Sequence, residues 1–333
     1  MKKLIAAAIV LVVVAGTAVL VAAYQFSNLA VERDTVIQYT VEPGMTLSDV
    51  AGDLEDRGVV RHAILFELLA RYRGVGHGIN AGRYEIETYM DAGQILSMLV
   101  EGKIVVNRVN VPEGLTIPET ARILQARIGI DSTAFVQRSV DPEAVRSLGI
   151  EAPTLEGYLY PATYNMYPDM TVDDILRQLT SRHLQSITEE YRKRAEELEY
   201  SLHEIVTLAS IIEQEAMVDD ERDIISGVFH NRLEKGMRLE ADPTVQYGIG
   251  RPNMRLYEKH LSHPSPYNTY MHAGLPPGPI CSPGVASIRA ALYPEDVPYL
   301  FFVARGDGRH IFSVTNREHN RARAEVRRQR NSR

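Results

Sequence analysis

Residues Leu4 to Ala23 form an unbroken run of 20 residues without a single charge. As a helix, at about 1.5 Å per residue, such a run covers about 30 Å, the thickness of a bilayer's hydrocarbon core. A signal-peptide core is usually shorter, roughly 7–15 residues. The run therefore reads as a retained membrane anchor, although Val21-Ala22-Ala23 would pass as a cleavage site. Lys2 and Lys3 place the short N-terminal side in the cytoplasm. No cysteine stands at the end of the run, which excludes lipoprotein processing. Everything after a polar linker over 25–36 is then expected on the outer face of the cytoplasmic membrane.

The 333 residues leave room for two soluble domains beyond the anchor. A formal net charge of -7 argues against nucleic acid as a partner, because phosphate binding needs a concentrated basic surface. One basic cluster does occur, in Arg317, Arg321, Arg323, Arg327, Arg328, Arg330 and Arg333. It reads as a solvated helix end, with contact to anionic lipid or an anionic wall polymer as the alternative. Cys281 is the lone cysteine, so no internal disulfide can form, and it reads as a small buried residue.

The expected class is α+β, helices dominating over short strands. Tyr39 to Val41 alternates as a strand, turns at Pro43-Gly44, and enters a helix capped near Thr46 or Ser48. Helical patterns follow at 63–71 and 92–100, with a return strand at 82–86 and a stop near Gly102. This opening resembles LysM, a small glycan-binding module that begins Tyr-Thr-Val-x-x-Gly-x-Thr-Leu. A LysM-like module is thus expected over 37–103, with a small α+β spacer as the structural alternative. A second domain is expected over 104–333. It opens with a strand at 105–111, a turn at 112–116 and a helix at 117–126. Long helical patterns cover 172–198, 202–217 and 219–235. Residues 242–283 are rich in Gly, Pro, Asn and Tyr and read as functional loops, before a final hairpin across Gly306-Asp307-Gly308. No internal repeat is visible.

The stretch from His203 to Ala216 carries the sharpest chemical signal. On a helix, Ile205, Leu208, Ala209, Ile212 and Ala216 make one stripe, and Thr207, Ser210 and Gln214 mark the opposite face. Glu215 projects between Leu208 and Ile211, inside the apolar sector. Glu213 sits on the other shoulder. A carboxyl among apolar neighbours loses solvation, which raises its pKa and suits a general acid. A boundary glutamate paired with a lysine or arginine would show the same pattern. Asp242 precedes Pro243, which suggests an extended or turn geometry. Six tyrosines, Tyr158, Tyr160, Tyr164, Tyr247, Tyr267 and Tyr270, fall in Pro/Gly-rich segments and suit packing against sugar faces. No nucleophile elbow, zinc helix, P-loop or dinucleotide fingerprint occurs. Neither a metal nor a cofactor is expected.

Several long runs together resemble the endolytic murein transglycosylases, the YceG-like or MltG-like family. They are Leu155–Pro161, Leu208–Glu215, Phe229–Leu233, Met237–Gly248, Ser265–Tyr270, Gly274–Ile280 and Ser282–Gly284. The resemblance implies a mainly helical catalytic domain of lytic-transglycosylase type. It also implies endolytic, non-hydrolytic cleavage of the MurNAc-β-1,4-GlcNAc bond to 1,6-anhydro-MurNAc ends, terminating nascent strands. The family's catalytic acid, the second of a Glu-x-Glu pair, maps onto Glu215. Ala216 stands where these enzymes often carry a hydroxyl residue. Asp242, Gln246, Tyr247, Tyr267, Asn268 and Thr269 are expected to bind the glycan. The expected partners are peptidoglycan strands, the cytoplasmic membrane and peptidoglycan synthases. The competing readings are a muramidase, with Glu213 or Asp242 as second acid, and a non-catalytic wall-binding scaffold.

Overall fold

The computed structural model describes residues 36–76, 78–87, 90–102, 107–166 and 170–331. The apolar run Leu4–Ala23 and most of the linker lie outside the described residues. Among the described residues no helix is long and apolar enough to cross a membrane. The fold is α+β: helices dominate, and among the described residues the strands pair into antiparallel two-stranded ribbons. The chain divides into two compact units between Val106 and Asn107.

The first unit runs β1 (Val36–Val41), α1 (Leu47–Asp56), α2 (Ala63–Tyr72), β2 (Gly82–Glu87) and α3 (Ala92–Glu101). β1 and β2 pair antiparallel, with Tyr39 opposite Tyr84. Strand alternation turns Tyr39, Val41, Tyr84 and Ile86 inward, where they meet Leu54, Phe66, Ile95 and Leu99. Thr46 and Asp91 cap α1 and α3 through reciprocal capping boxes. Gly102 ends α3 at φ 65°, a left-handed conformation that suits a residue without Cβ.

The second unit begins with β3 (Asn107–Val111), α4 (Ile117–Ile128), α5 (Ser132–Ser139), α6 (Pro142–Ser147), β4 (Ala162–Met166) and α7 (Val172–Ser186). These elements share a core built on Val109, Leu124, Phe135, Leu159, Leu176 and Leu179. The remainder is α8 (Glu189–Glu197), α9 (Leu202–Glu215), α10 (Arg222–Glu234), α11 (Asp242–Ile249), α12 (Val285–Leu292), the hairpin β5 (Phe301–Ala304) and β6 (His310–Ser313), and α13 (Asn316–Asn331). Here the core gathers around Leu208, Ile211, Ile212, Phe229 and Ile288. Helix α9 lies against α8, α10, α11 and α12.

Three expectations change. The helical pattern over 172–198 is two helices, because Ile187 is extended and Thr188 caps α8. Asp242 is helical rather than extended, since Pro243 occupies the first turn of α11, where a missing N–H costs nothing. A short internal repeat also exists. Val41-Glu42-Pro43-Gly44-Met45-Thr46-Leu47 and Val111-Pro112-Glu113-Gly114-Leu115-Thr116-Ile117 build the same strand-to-helix corner. Each has a buried valine, a glycine at positive φ (93° and 77°) and a threonine capping box. Only those few positions are constrained, so the flanking sequences have little in common.

Candidate active site

Helix α9 starts at a Ser201–Glu204 capping box and is buried from Ile205 through Ile212. The face carrying Thr207 and Ser210 is therefore not a solvent face, contrary to its polar sequence. The Thr207 hydroxyl donates to the His203 carbonyl, and the Ser210 hydroxyl donates to Thr207 and accepts from the Ile280 amide. Satisfying these hydroxyls internally is what lets a polar stripe enter the core. Cys281 lies beside the same stripe, buried, with its thiol pushed well up by burial.

The last turn of α9 sends three polar side chains to three destinations. Gln214 donates to the Gly114 carbonyl at 2.7 Å. Glu213 accepts from the Gly284 amide at 3.0 Å and the Ser287 hydroxyl at 2.7 Å, and Arg222 stands 4.0 Å away. Gly284 is the N-cap of α12, so Glu213 completes a helix N-terminus, where a carboxylate is welcome. Glu215 has no such company. Among the described residues no side chain donates to it, and its carboxyl accepts only from the Asp242 backbone amide. Burial pushes its pKa up to about 8, and the Asp242 charge adds to the rise, against a partial offset from Arg232 and that amide. A carboxylic acid in this setting stays protonated at neutral pH.

Glu215 opens into a cleft of about 1060 Å³. Asp242 and Tyr270 line it together, the Tyr270 hydroxyl donating to Asp242 Oδ1 at 2.7 Å. Arg232 is buried and fixed: Nε donates to the Leu300 carbonyl at 2.6 Å, and Nη1 to the Leu239 carbonyl at 2.8 Å and Glu240 Oε2 at 3.3 Å. Phe302, His310 and one face of α13 complete the lining.

Of the expected site residues, Glu215 and Asp242 meet in this cleft. Gln246, Tyr247, Tyr267, Asn268 and Thr269 do not line it. Asn268 is fully buried, donating to the Leu261 and His263 carbonyls and accepting from the Tyr270 amide. Thr269 is buried against Thr244, their hydroxyls 2.9 Å apart, and accepts from the Ala241 amide at 3.0 Å. Gln246 is tied to the Met254 carbonyl at 2.7 Å. The Asn268 and Thr269 side chains thereby fix Tyr270 and the start of α11. They build the cleft without facing it. Tyr247 and Tyr267 pack ring to ring, centroids 4.8 Å apart, and Tyr247 donates to Glu156 at 3.3 Å. Arg232 and Glu240 were missed as lining residues, although both sit in the sequence runs Phe229–Leu233 and Met237–Gly248. The α13 face was missed too; its only signal was the basic spacing.

Residues 39–325 match the YceG-like family. A protein of Bacillus subtilis (strain 168) named endolytic murein transglycosylase is 33% identical over 310 residues, covering 88% of this chain and 86% of that one. A protein of the same name from Streptococcus pneumoniae serotype 2 is 26% identical over 309 residues, and the match covers 84% of this chain but 56% of the longer relative. The crystal structure of a yceG-like protein from Listeria monocytogenes aligns with a TM-score of 0.61 at 36% identity, covering 86% of this chain and 98% of that one. With the match spanning both units, this chain belongs to the YceG-like family.

Proposed function

We propose that this protein is an endolytic peptidoglycan lytic transglycosylase with Glu215 as its acid and base. The observation that carries the reading is a carboxyl held up at about 8 at the wall of a large polar cleft. The name of the relatives supports the same substrate. In the reaction, protonated Glu215 donates to the glycosidic oxygen as the bond from muramoyl C1 breaks. The C6 hydroxyl of the same sugar then bonds to C1, and the Glu215 carboxylate takes its proton. No water is consumed, and Glu215 ends as it began. One carboxyl suffices because the nucleophile is already attached to the substrate, which gives it high effective molarity. The fixed charge of Arg232 and the Asp242 amide stabilise Glu215 while it is ionised.

A muramidase is the second reading, and Asp242 is the observation that favours it, since it shares the cleft with Glu215. Glu213 is unsuited to the role of second acid, because both its donors belong to α12. The remaining expectations stay part of the proposal: a single-pass anchor in the cytoplasmic membrane, a catalytic unit outside it, and action beside peptidoglycan synthases. The LysM-like reading rests on Tyr39, Val41 and Thr46, which serve here as core and cap, so glycan binding by the first unit needs its own test.

Mass spectrometry of products from isolated peptidoglycan tests the reading. Anhydro-muramoyl ends from the wild type, absent with Glu215→Gln, are expected. Reducing muramoyl ends would replace it with the muramidase, and an inert wild type beside intact strand binding would favour the scaffold.

A further inference from the structure

The basic cluster at the C-terminus is left unused by the chemistry above, yet part of it lines the Glu215 cleft. Helix α13 is held on the β5–β6 hairpin by buried Ala322 and by His319, which stacks on Phe301 with centroids 5.3 Å apart. That docking turns Arg323 and Arg327 into the cleft. Residues four apart on a helix share a face, so the two side chains leave the same side of α13. Both are exposed, and among the described residues neither has an ion-pair partner. The acids nearby are otherwise engaged. Glu240 pairs with Arg232, Asp242 accepts from Tyr270, Glu318 accepts the Val314 and Thr315 amides, and Glu325 accepts from Gln329. The cation that offsets the Glu215 charge is Arg232, not either of these. Arg328 also lines this wall but donates to the Ala324 carbonyl at 3.4 Å, which leaves Arg323 and Arg327 as the two without a bonding partner among the described residues. They are suited to an anion that arrives with the substrate, and guanidinium matches carboxylate geometry.

We propose that Arg323 and Arg327 form a specificity site for the carboxylates carried by the muramic acid arm of the strand. The inference rests on the proposed action on peptidoglycan and adds the part of the substrate that is read beside the scissile bond. Two sources share this chemistry: the lactyl carboxylate of a stripped muramic acid, and the free carboxylates of an attached peptide stem.

The test uses the full-length chain in detergent, with Glu215→Gln so that strands bind without turnover. Arg323→Gln/Arg327→Gln is expected to weaken binding of peptide-bearing strands about tenfold, the scale of two partly exposed ion pairs. Strands with chemically amidated carboxyls should bind the unaltered arginines equally weakly and show no further loss with the double variant. The lysine pair, Arg323→Lys/Arg327→Lys, should recover part of the affinity, which separates lost charge from lost folding. Strands stripped by an amidase assign the source. An attached stem masks the lactyl carboxylate as an amide, so an arginine effect that appears only on stripped strands means the lactyl carboxylate, and one confined to peptide-bearing strands means the stem. Unchanged affinity on both peptide-bearing and stripped strands, or an equal loss on native and amidated strands, overturns the proposal. Loss of binding to phosphatidylglycerol vesicles with strand binding unaltered would overturn it in favour of a lipid contact. Product analysis of the wild type scores the chemistry separately, so the two readings fail independently.

Discussion

Glu213 and Glu215 leave the same helix end two residues apart and meet opposite surroundings. Glu213 reaches α12 and finds an amide, a hydroxyl and the edge of a guanidinium. Glu215 reaches the cleft and finds one amide and the like charge of Asp242. Both glutamates are partly buried, so burial alone does not set their roles. What separates them is how many donors meet the carboxylate. Donors that welcome the ionised form create a structural anchor, and their scarcity creates a proton carrier.

The largest expected effect breaks the comparison from the catalytic side. Glu215→Gln preserves shape and removes the proton cycle, and should lower turnover of peptidoglycan by about a thousandfold or more, within the usual contribution of general acid–base catalysis. Release of anhydro-muramoyl ends measures it. The same change should leave the folded protein intact.

The converse substitution comes next. Glu213→Ala strips the start of α12 of its carboxylate and leaves buried Arg222 with exposed Asp219 as its remaining carboxylate partner. A cost of about 2–4 kcal/mol is expected. Urea unfolding reads it, and turnover per folded molecule should stay within a few-fold of wild type. A thousandfold loss in folded Glu213→Ala would put the chemistry on the wrong shoulder.

Acidity sharpens the contrast further. Turnover requires protonated Glu215, so the rate should hold through neutral pH and decline as pH rises through about 8. Asp242→Asn removes the charge that helps to raise Glu215, and the alkaline limb should then move to lower pH. An unmoved limb would mean that Asp242 does not reach Glu215 electrostatically.

How much of this was legible beforehand follows from how local each signal is. Caps, strand alternation and glycine stops are set by a few neighbouring residues, and so Thr46, Gly102 and the stripe of α9 were readable. The position of Glu215 within that stripe was readable for the same reason. The partners of Glu213 lie about seventy residues further along the chain, and nothing local announces them. Asn268 and Thr269 show the opposite failure. Polar residues in a loop-rich segment resemble ligand contacts, but here the loop is folded inward and their side chains do the work of backbone pairing. The face of α13 depends on where a hairpin docks, which periodicity does not encode.

Glu156 offers the finest test, because it shares the raised pKa of Glu215 without its exposure. It is buried, accepts from the Ile117 amide at 3.1 Å and from Tyr247, and burial pushes it to about 8. Each of these two acids keeps, in the folded chain, a proton that an unfolded glutamate releases near 4.5. Between about 4.5 and 8 the native state therefore binds more protons, and stability falls as pH rises across that window before levelling off. Glu156→Gln keeps an oxygen for the Ile117 amide and is neutral throughout. At pH 5 it should cost less than about 1 kcal/mol, since both side chains are then uncharged. At pH 9 it should unfold at higher urea than wild type, because it has no proton to lose. The alkaline limb of turnover should stay where it was, since Glu156 does not line the cleft. Urea midpoints at the two pH values, read beside that limb, separate a buried acid that only burdens the fold from one that also cycles a proton. A displaced limb in Glu156→Gln would join the two carboxyls into one titrating system and undo the distinction.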